Sequence, residues 1–342
     1  MSTLRPSHDG GFTLIELMIA LIISVVVITA GFTILTSTSR AVRANDISAD
    51  VQQNVRVAME LIARDVKLAG FGTSGAVGNC SLALKPTDAT ATGPDSGSDS
   101  MDLLVPTTSM NTPAWQLASV AGPNGFNGIT LTAGARADMV SRGLVNNSYL
   151  SIGGAYTVKV PAVPASGDTL TLESTVPSPI TFPVGAQVHL LECIRYDIGT
   201  TAAACGSANA PCLRRGVSGG AMAAVVDGIE DLQLAYACDG CTELENGIID
   251  NQIGGTAAFD SADFVSNSTW ATSPMTADKI RLAQINLVSR QTATDLGFGE
   301  GKGSIKGSSA SLVVSSDHTL AGDQQFRRRV LSKTVSLRNV GL

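Results

Sequence analysis

A long apolar run near the amino terminus is the strongest pattern in the sequence. Residues 17–35 contain no charged side chain and are interrupted only by Ser24, Thr29, Gly31 and Thr33. About 20 predominantly apolar residues are enough for a helix to cross the hydrocarbon core of a bilayer. No small-residue cleavage site of the secretory type follows the run, so we expect a transmembrane helix that the mature protein retains.

Beyond this run, the pattern becomes that of an amphipathic helix. Apolar residues recur every three or four positions on one helical face: Ile47, Val51, Val55, Met59, Ile62, Val66 and Ala69. The opposite face is largely charged and carries Arg43, Asp46, Asp50, Arg56, Glu60, Arg64 and Lys67. No proline lies between Phe12 and Ala69, and Gly70 is a candidate C-cap. We therefore predict one continuous helix of about 85 to 90 Å.

The rest of the chain is predicted to be rich in β-structure. The whole sequence has 35 glycines and only 4% aromatic residues, which favours short strands joined by many turns. Candidate strands cover residues 129–132, 156–160, 169–172, 187–196, 232–237, 280–289, 311–314 and 330–337. Residues 88–100 and 297–309 are expected to be loops. The predicted fold class is α+β, with a long helical stem packed on a mainly antiparallel sheet, in the shape of a lollipop.

The charge balance argues against nucleic acid as a partner. The net charge is −6, and only 15% of the residues are charged. Proteins that bind nucleic acid usually concentrate lysine and arginine on one face. The cluster Arg327, Arg328 and Arg329 has two interpretations, a site for acidic partners or DNA and the solvated start of a strand. The second interpretation is favoured.

The residues just before and within the apolar run form a specific motif: Gly10-Gly11-Phe12-Thr13-Leu14-Ile15-Glu16-Leu17-Met18. It resembles the prepilin motif that type IV pilins share with type II secretion pseudopilins. The resemblance implies that a membrane prepilin peptidase cleaves between Gly11 and Phe12 and that Phe12 becomes N-methylated. A glycine before the scissile bond lets the extended backbone lie close to the protease.

Glu16 is the candidate assembly residue. A carboxylate in an apolar span costs roughly 3 kcal/mol or more unless it is paired. After cleavage, the amine of Phe12 lies at i,i+4 from Glu16, so the two charges can pair within a chain or between neighbouring chains. The alternative is a carboxylate that reaches the interface from the helix end. The resemblance favours the intermolecular pair, which sets the register of subunits during assembly.

Three further segments, residues 63–72, 226–236 and 328–339, resemble the minor pilins of the PilW family. This resemblance implies a minor subunit that primes pilus assembly and lies at or near the filament tip. The implied partners are the prepilin peptidase, other minor pilins, the major pilin, the inner-membrane assembly platform, a PilY-type tip adhesin and, before assembly, membrane lipid. Residues 73–186 match no motif of the family.

The resemblance also implies a domain order and a location. Residues 1–11 are expected to be the leader, 12–35 the transmembrane half of the stem, 36–71 its amphipathic half, and 72–342 a globular domain. The protein is expected to cross the inner membrane once, with the globular domain in the periplasm, and then to enter the pilus. Two alternatives stay open: a pseudopilin of a type II secretion system, and a filament-displayed module that binds DNA or another ligand.

Six cysteines lie in the expected globular domain, which fits disulfides in an oxidising periplasm. Cys238-Asp239-Gly240-Cys241 contains a two-residue hairpin turn that favours a structural disulfide. A redox C-x-x-C and half of a zinc site are the alternatives, but outside the leader only His189 and His318 are available as histidine ligands. The other expected pairs are Cys205 with Cys212 and Cys80 with Cys193.

An enzymatic function finds little support in the sequence. The chain has neither G-x-S-x-G nor H-E-x-x-H. Residues 297–304 depart from a phosphate-binding loop because Gly303 follows Lys302, where serine or threonine is required. We therefore expect no enzyme, no catalytic residue, no metal and no cofactor.

Overall fold

The computed structural model describes residues 12–89, 97–107, 115–122, 127–206, 211–241, 245, 247, 249, 259–266, 270–273, 275–291, 312–315, 317–320, 326 and 328–339. The chain divides into two compact units, Met1–Asp50 and Val51–Leu342. Helix α1 (Leu14–Leu68) begins in the first unit and ends in the second.

In the first unit, α1 exposes its apolar side chains on every side. Leu14, Ile22 and Leu35 are 78%, 60% and 70% exposed. The hydroxyls of Ser24 and Thr29 donate to the carbonyl oxygens four residues earlier, both at 2.7 Å. Polar side chains within an apolar helix are therefore satisfied by the helix itself, as a membrane requires. By length and composition, this helix is able to cross a membrane.

The second unit is built mainly from antiparallel strands. The described strands are β1 (Leu84–Thr87), β2 (Ser100–Pro106), β3 (Trp115–Gln116), β4 (Gly128–Thr130), β5 (Ser148–Ile152), β6 (Tyr156–Val160), β7 (Thr169–Thr171), β8 (Gln187–Gly199), β9 (Cys212–Val217), β10 (Met222–Asp227), β11 (Ile229–Cys238), β12 (Ala271–Thr272), β13 (Met275–Thr276), β14 (Ile280–Arg290), β15 (Leu312–Val313), β16 (Thr319–Leu320) and β17 (Arg328–Ser336). Two short helices, α2 (Ala135–Ser141) and α3 (Ala202–Cys205), lie between them. The α+β class predicted from the sequence is therefore confirmed.

Most described strands belong to two sheets. The larger sheet runs β1-β2-β8-β5-β6, with β3 and β9 also paired to β8 and with β10 paired to β9. The smaller sheet runs β11-β14-β17. The pairs β4-β7, β12-β13 and β15-β16 are separate two-stranded ribbons. All of these pairings are antiparallel.

The end of α1 packs against both sheets in one hydrophobic core, which we call the stem core. The helix contributes the face predicted from its periodicity, including Val55, Met59, Ile62 and Val66. The sheets contribute residues such as Leu103, Ile194, Leu213, Leu232, Leu234, Ile285, Leu287 and Val335. Because each strand alternates its side chains, one face of each sheet meets the helix.

A second core lies in the part of the chain that carries no recognised motif. It contains buried residues between Trp115 and Leu190, among them Leu117, Ile129, Leu131, Met139, Leu150, Leu170, Phe182 and Val188. Helix α2 is tied to β3 because Nε1 of Trp115 donates to Oδ2 of Asp138 at 2.8 Å. The two cores meet along β8, which supplies residues to both.

Helix α1 ends at Leu68 in a turn that requires glycine. Gly70 has a φ of 79°, in the left-handed region, and the side-chain amide of Asn339 donates to the carbonyl oxygens of Lys67 and Ala69 at 3.3 and 3.4 Å. A carboxy-terminal residue thus satisfies carbonyls that the helix leaves unpaired. This turn agrees with the C-cap predicted from the sequence.

A buried carboxylate was not expected on the packed face of α1. Asp65 is 2% exposed, and its Oδ2 accepts from the Tyr196 hydroxyl at 2.7 Å and from Nε of Arg215 at 3.0 Å. Burial, together with the nearby carboxylate, raises the pKa of the Tyr196 hydroxyl, so this group stays protonated and donates. The helix is therefore tied to β8 and β9 by charge-assisted hydrogen bonds.

Replacing Gly70 by alanine should destabilise the protein strongly. A Cβ at this position would lie 2.6 Å from the carbonyl oxygen of Asn339 and 2.8 Å from Cβ of Ala83. We expect a loss of about 2 to 4 kcal/mol, which combines left-handed strain with overpacking. Gly134→Ala is the control, since Gly134 also has positive φ but open space around it, and it should lose only about 1 kcal/mol. Urea unfolding of the detergent-solubilised chain measures both, and equal losses would contradict the close contact.

Replacing Tyr196 by phenylalanine tests the buried network around Asp65. It removes the hydroxyl that donates to Asp65 and should lower the free energy of unfolding by about 1 to 3 kcal/mol. Tyr156→Phe is the matched control, because the Tyr156 hydroxyl contacts Ser174 and Thr175 at an exposed site. The control should lose no more than about 0.5 kcal/mol. A Tyr196→Phe chain as stable as the control would show that the network contributes little.

Candidate functional site

Thr13 and Glu16 form a reciprocal pair at the start of α1. The backbone N–H and the hydroxyl of Thr13 both donate to Oε2 of Glu16 at 3.0 Å. In return, the backbone N–H of Glu16 donates to Oγ of Thr13 at 3.3 Å. This is a capping box, in which two side chains satisfy backbone donors that the first turn of a helix leaves unpaired. Thr13 therefore positions the Glu16 carboxylate.

Only part of the predicted processing site lies within the described residues. Phe12 is 89% exposed and comes just before α1, whereas Gly11 lies outside the described residues. Thr13 is not among the residues that the sequence interpretation singles out, although the T-x-x-E spacing from Thr13 to Glu16 is the usual mark of a capping box. In the uncleaved chain, Glu16 thus has a local partner.

The surface around Glu16 is apolar. The neighbouring side chains Ile15, Leu17 and Ile19 are 67%, 61% and 51% exposed. Glu16 is the only carboxylate in the sequence between Phe12 and Asn45. Any partner that covers this face with apolar groups also has to accommodate the Glu16 carboxylate. The face therefore selects partners that can pair with a negative charge.

The six cysteines are joined in the pairs Cys80–Cys193, Cys205–Cys212 and Cys238–Cys241. The first pair links the segment after α1 to β8 across a separation of 113 residues. In the chain-entropy description, closing so long a loop stabilises the fold by about 4 to 5 kcal/mol. The other two pairs close short turns, before β9 and after β11.

The two candidate histidine ligands, His189 and His318, contact other groups of the protein. His189 packs edge-on against Phe71 at 5.2 Å, and burial lowers its pKa. His318 is buried, and its Nε2 lies 3.3 Å from Oδ2 of Asp231. Within the described part of the chain, no group of three or more histidine, cysteine, aspartate or glutamate side chains is placed to hold a metal.

The segment 226–236, from the end of β10 through most of β11, joins the smaller sheet to the carboxy terminus. Glu230 accepts from Nε and Nη2 of Arg328 at 2.6 and 2.7 Å. Its neighbour Asp231 is buried and accepts from the Ser98 hydroxyl at 2.6 Å and from the Gln233 amide at 3.1 Å. Burial raises the pKa of Asp231. These contacts link segments of the chain that are distant in sequence.

The arginine cluster is not uniformly solvated. Arg328 forms a bidentate ion pair with Glu230, which lies on β11, the other outer strand of the smaller sheet. Arg329 is exposed, and Arg327 lies outside the described residues. The interpretation as a solvated strand start therefore fails for Arg328, because the half-buried carboxylate of Glu230 on β11 neutralises its guanidinium.

Comparisons with known proteins agree with these features. Residues 196–339 match the family model described as Type IV Pilus-assembly protein W, and residues 6–33 match the prokaryotic N-terminal methylation motif. The Pilin-like protein PilA3 of Thermus thermophilus is 34% identical over 87 residues, which is 25% of this chain. The chain therefore matches only 37% of that relative's length. No solved structure matches the chain.

The two family matches fall on the parts of the chain described above. The methylation motif includes Phe12, the Thr13–Glu16 pair and most of the apolar run, and the second match begins at Tyr196 and ends at Asn339. Tyr196 binds the Asp65 carboxylate, and Asn339 caps the end of α1, so the second match contains direct partners of the helix. The chain is therefore a type IV pilus minor pilin of the PilW family.

Proposed function

We propose that this minor pilin is cleaved between Gly11 and Phe12, is N-methylated at Phe12, and then enters the filament at or near its tip, where it primes assembly. The single observation that carries the proposal is the fully exposed apolar start of α1 with one carboxylate, Glu16, a single helical turn after Phe12. Such a surface needs either lipid or the apolar helices of other subunits.

Insertion into lipid does not require a carboxylate in the first turn of α1, so Glu16 has a further role. Cleavage frees an ammonium on Phe12, and transfer of this charge into an apolar filament would leave it unpaired unless a carboxylate receives it. Glu16 is the carboxylate nearest in sequence, and the Thr13 pair holds it at the exposed helix start. In assembly, Glu16 exchanges its contact with Thr13 for the amine of Phe12, in its own chain or in a neighbour.

The location follows from the motif and the helix. The protein is anchored in a membrane by its amino-terminal helix and is later part of the pilus, with its carboxy-terminal domain outside the bilayer. We propose residues 1–11 as the leader, 12–35 as the membrane half of the stem, 36–71 as the rest of the stem, and 72–342 as the globular domain. The role is that of a structural subunit.

The family implies contact with the prepilin peptidase and with other pilins. The partners that we propose beyond these are the other minor pilins of the priming complex, the major pilin and the inner-membrane assembly platform. A tip adhesin of the PilY type would be carried by the finished filament. A priming role differs from a bulk role because few copies are needed, so loss should change the number of filaments more than their composition.

Deletion of the gene should remove most surface pili and leave secretion of folded exoproteins unchanged. Shearing the cells and quantifying the major subunit measures the first effect, and assay of secreted enzymes measures the second. The wild-type gene should restore piliation. A copy with Gly11→Leu should not, because a branched side chain before Phe12 should block cleavage. Normal piliation with a loss of exoprotein secretion would instead identify a pseudopilin.

Substitutions at Glu16 separate its charge from its capping hydrogen bonds. Glu16→Leu should ease membrane insertion by roughly 3 kcal/mol and should still be cleaved, but surface pili should fall sharply. Glu16→Gln keeps a side chain able to cap the helix and removes only the charge, so it should fail to the same extent. Glu16→Asp keeps the charge with a shorter reach and should recover part of the piliation.

Thr13→Val is the matched control for these variants. It removes the hydroxyl from the capping box and leaves the carboxylate available to Phe12, so piliation should stay close to wild type. The measurement is the amount of major subunit in sheared pili at native expression. Normal piliation by Glu16→Gln would show that Glu16 acts only as a helix cap.

A further inference from the structure

Two arginines follow the apolar run of α1 and form no ion pair within the described part of the chain. Arg40 and Arg43 are both exposed, and they are the only lysine or arginine residues in the sequence between Phe12 and Val55. Because they are three positions apart, their side chains project from the same side of the helix, where like charges repel. An anion from outside the chain would remove this repulsion.

The depth of these arginines in a membrane follows from the rise of the helix. Residues 17–35 span about 28 Å, which is close to the hydrocarbon thickness of a bilayer, about 30 Å. Arg40 lies about 7 Å beyond Leu35, and the headgroup layer on each side is about 5 to 8 Å thick. Side chains of a helix point toward its amino terminus, so Arg40 and Arg43 both point back toward the headgroups.

The orientation of the helix in the membrane does not explain this pair. The cytoplasmic side of a membrane helix usually carries the excess of lysine and arginine. Arg40 and Arg43 lie instead on the side of the carboxy-terminal domain, and the leader carries only Arg5. The first carboxylate after the run is Asp46, which follows both arginines. Residues 36–45 therefore bring two positive charges and no negative charge to the headgroup layer.

Hydroxyl side chains precede the two arginines. Residues 36–39 are Thr-Ser-Thr-Ser, and all four are exposed. Ser37 lies one helical turn before Arg40, and Ser39 lies one turn before Arg43, so each arginine has a hydroxyl next to it on the helix surface. A guanidinium presents its N–H donors in a planar fork that matches phosphate, and a hydroxyl is a further donor. These groups together suit a phosphate ligand.

From this placement we infer that Arg40 and Arg43 bind the phosphate of an anionic phospholipid, in the leaflet on the side of the carboxy-terminal domain. Lipid headgroups surround an anchored helix at this depth, and phosphate is the anion that they present. A headgroup with net negative charge is preferred, because the ammonium of a zwitterionic lipid offsets its phosphate. The contact sets the depth of α1, which an apolar run alone leaves free to tilt. The inference rests on the membrane anchor and not on the proposed priming role.

The lipid preference of the full-length chain is measurable in bilayers with spin-labelled phosphatidylglycerol and phosphatidylcholine. The motionally restricted fraction of each lipid shows which one contacts the protein. The wild-type chain should favour phosphatidylglycerol about fivefold or more, and the preference should fall as salt rises. Arg40→Gln combined with Arg43→Gln should contact both lipids about equally. Arg56→Gln is the matched control, since Arg56 is also exposed on α1 but belongs to the second unit, and it should retain the wild-type preference.

A photoreactive residue at position 37 measures the contact at the site itself. Ultraviolet light should join it to phosphatidylglycerol, and the yield should fall about fivefold or more when both arginines are replaced by glutamine. The same residue at position 50, further from the apolar run, should form few lipid adducts.

Three results would overturn the inference: no phosphatidylglycerol preference in the wild-type chain, a preference that survives loss of both arginines, or an equal loss in Arg56→Gln. Adducts between two copies of the chain in place of lipid would do the same. These bilayers contain no other pilin, so any of these results leaves the proposed function standing. A chain that binds phosphatidylglycerol but whose deletion leaves piliation normal would instead overturn the proposed function alone.

Discussion

One helix has to satisfy two different surroundings, and the rest of the structure depends on how its surface changes along its length. Over residues 17–35 α1 is apolar on every side, so its few polar side chains bond back to the helix, as Ser24 and Thr29 do. From Val51 onwards only one face is apolar, and that face is buried in the stem core. The sheets of the second unit are therefore arranged around a single helical face.

Apolar packing alone would not fix the rotation of α1 about its own axis. Asp65 restricts it, because its carboxylate meets both the Tyr196 hydroxyl and the Arg215 guanidinium from adjacent strands. Removing one partner leaves another buried polar group unsatisfied, which costs more than a single hydrogen bond contributes, so the members of the network act together. At the helix end, Asn339 adds a second fixed point by binding the last carbonyls.

The sequence predicts the elements that show a periodic pattern and misses several that do not. Helix α1 and the strands β6, β14 and β17 follow from spacing or alternation, and residues 156–160 coincide with β6. Strand β2 is buried on both faces, so it shows no alternation, and the alanines of β10 have low strand propensity. Asp65 is hidden among the charges of the helix, since spacing alone does not show that a carboxylate has partners waiting on distant strands.

The boundary of the family match has a structural counterpart in β8. Val188 and Leu190, in its first half, belong to the second core, whereas Ile194 and Tyr196, further along, belong to the stem core. The match begins at Tyr196, the β8 residue whose hydroxyl binds Asp65 of α1. Residues that contact α1 are constrained by its face and by Asp65, while the second core has only to pack internally and keep its pairing with β8. Its loops and surface are therefore free to change without disturbing the contacts that hold the helix.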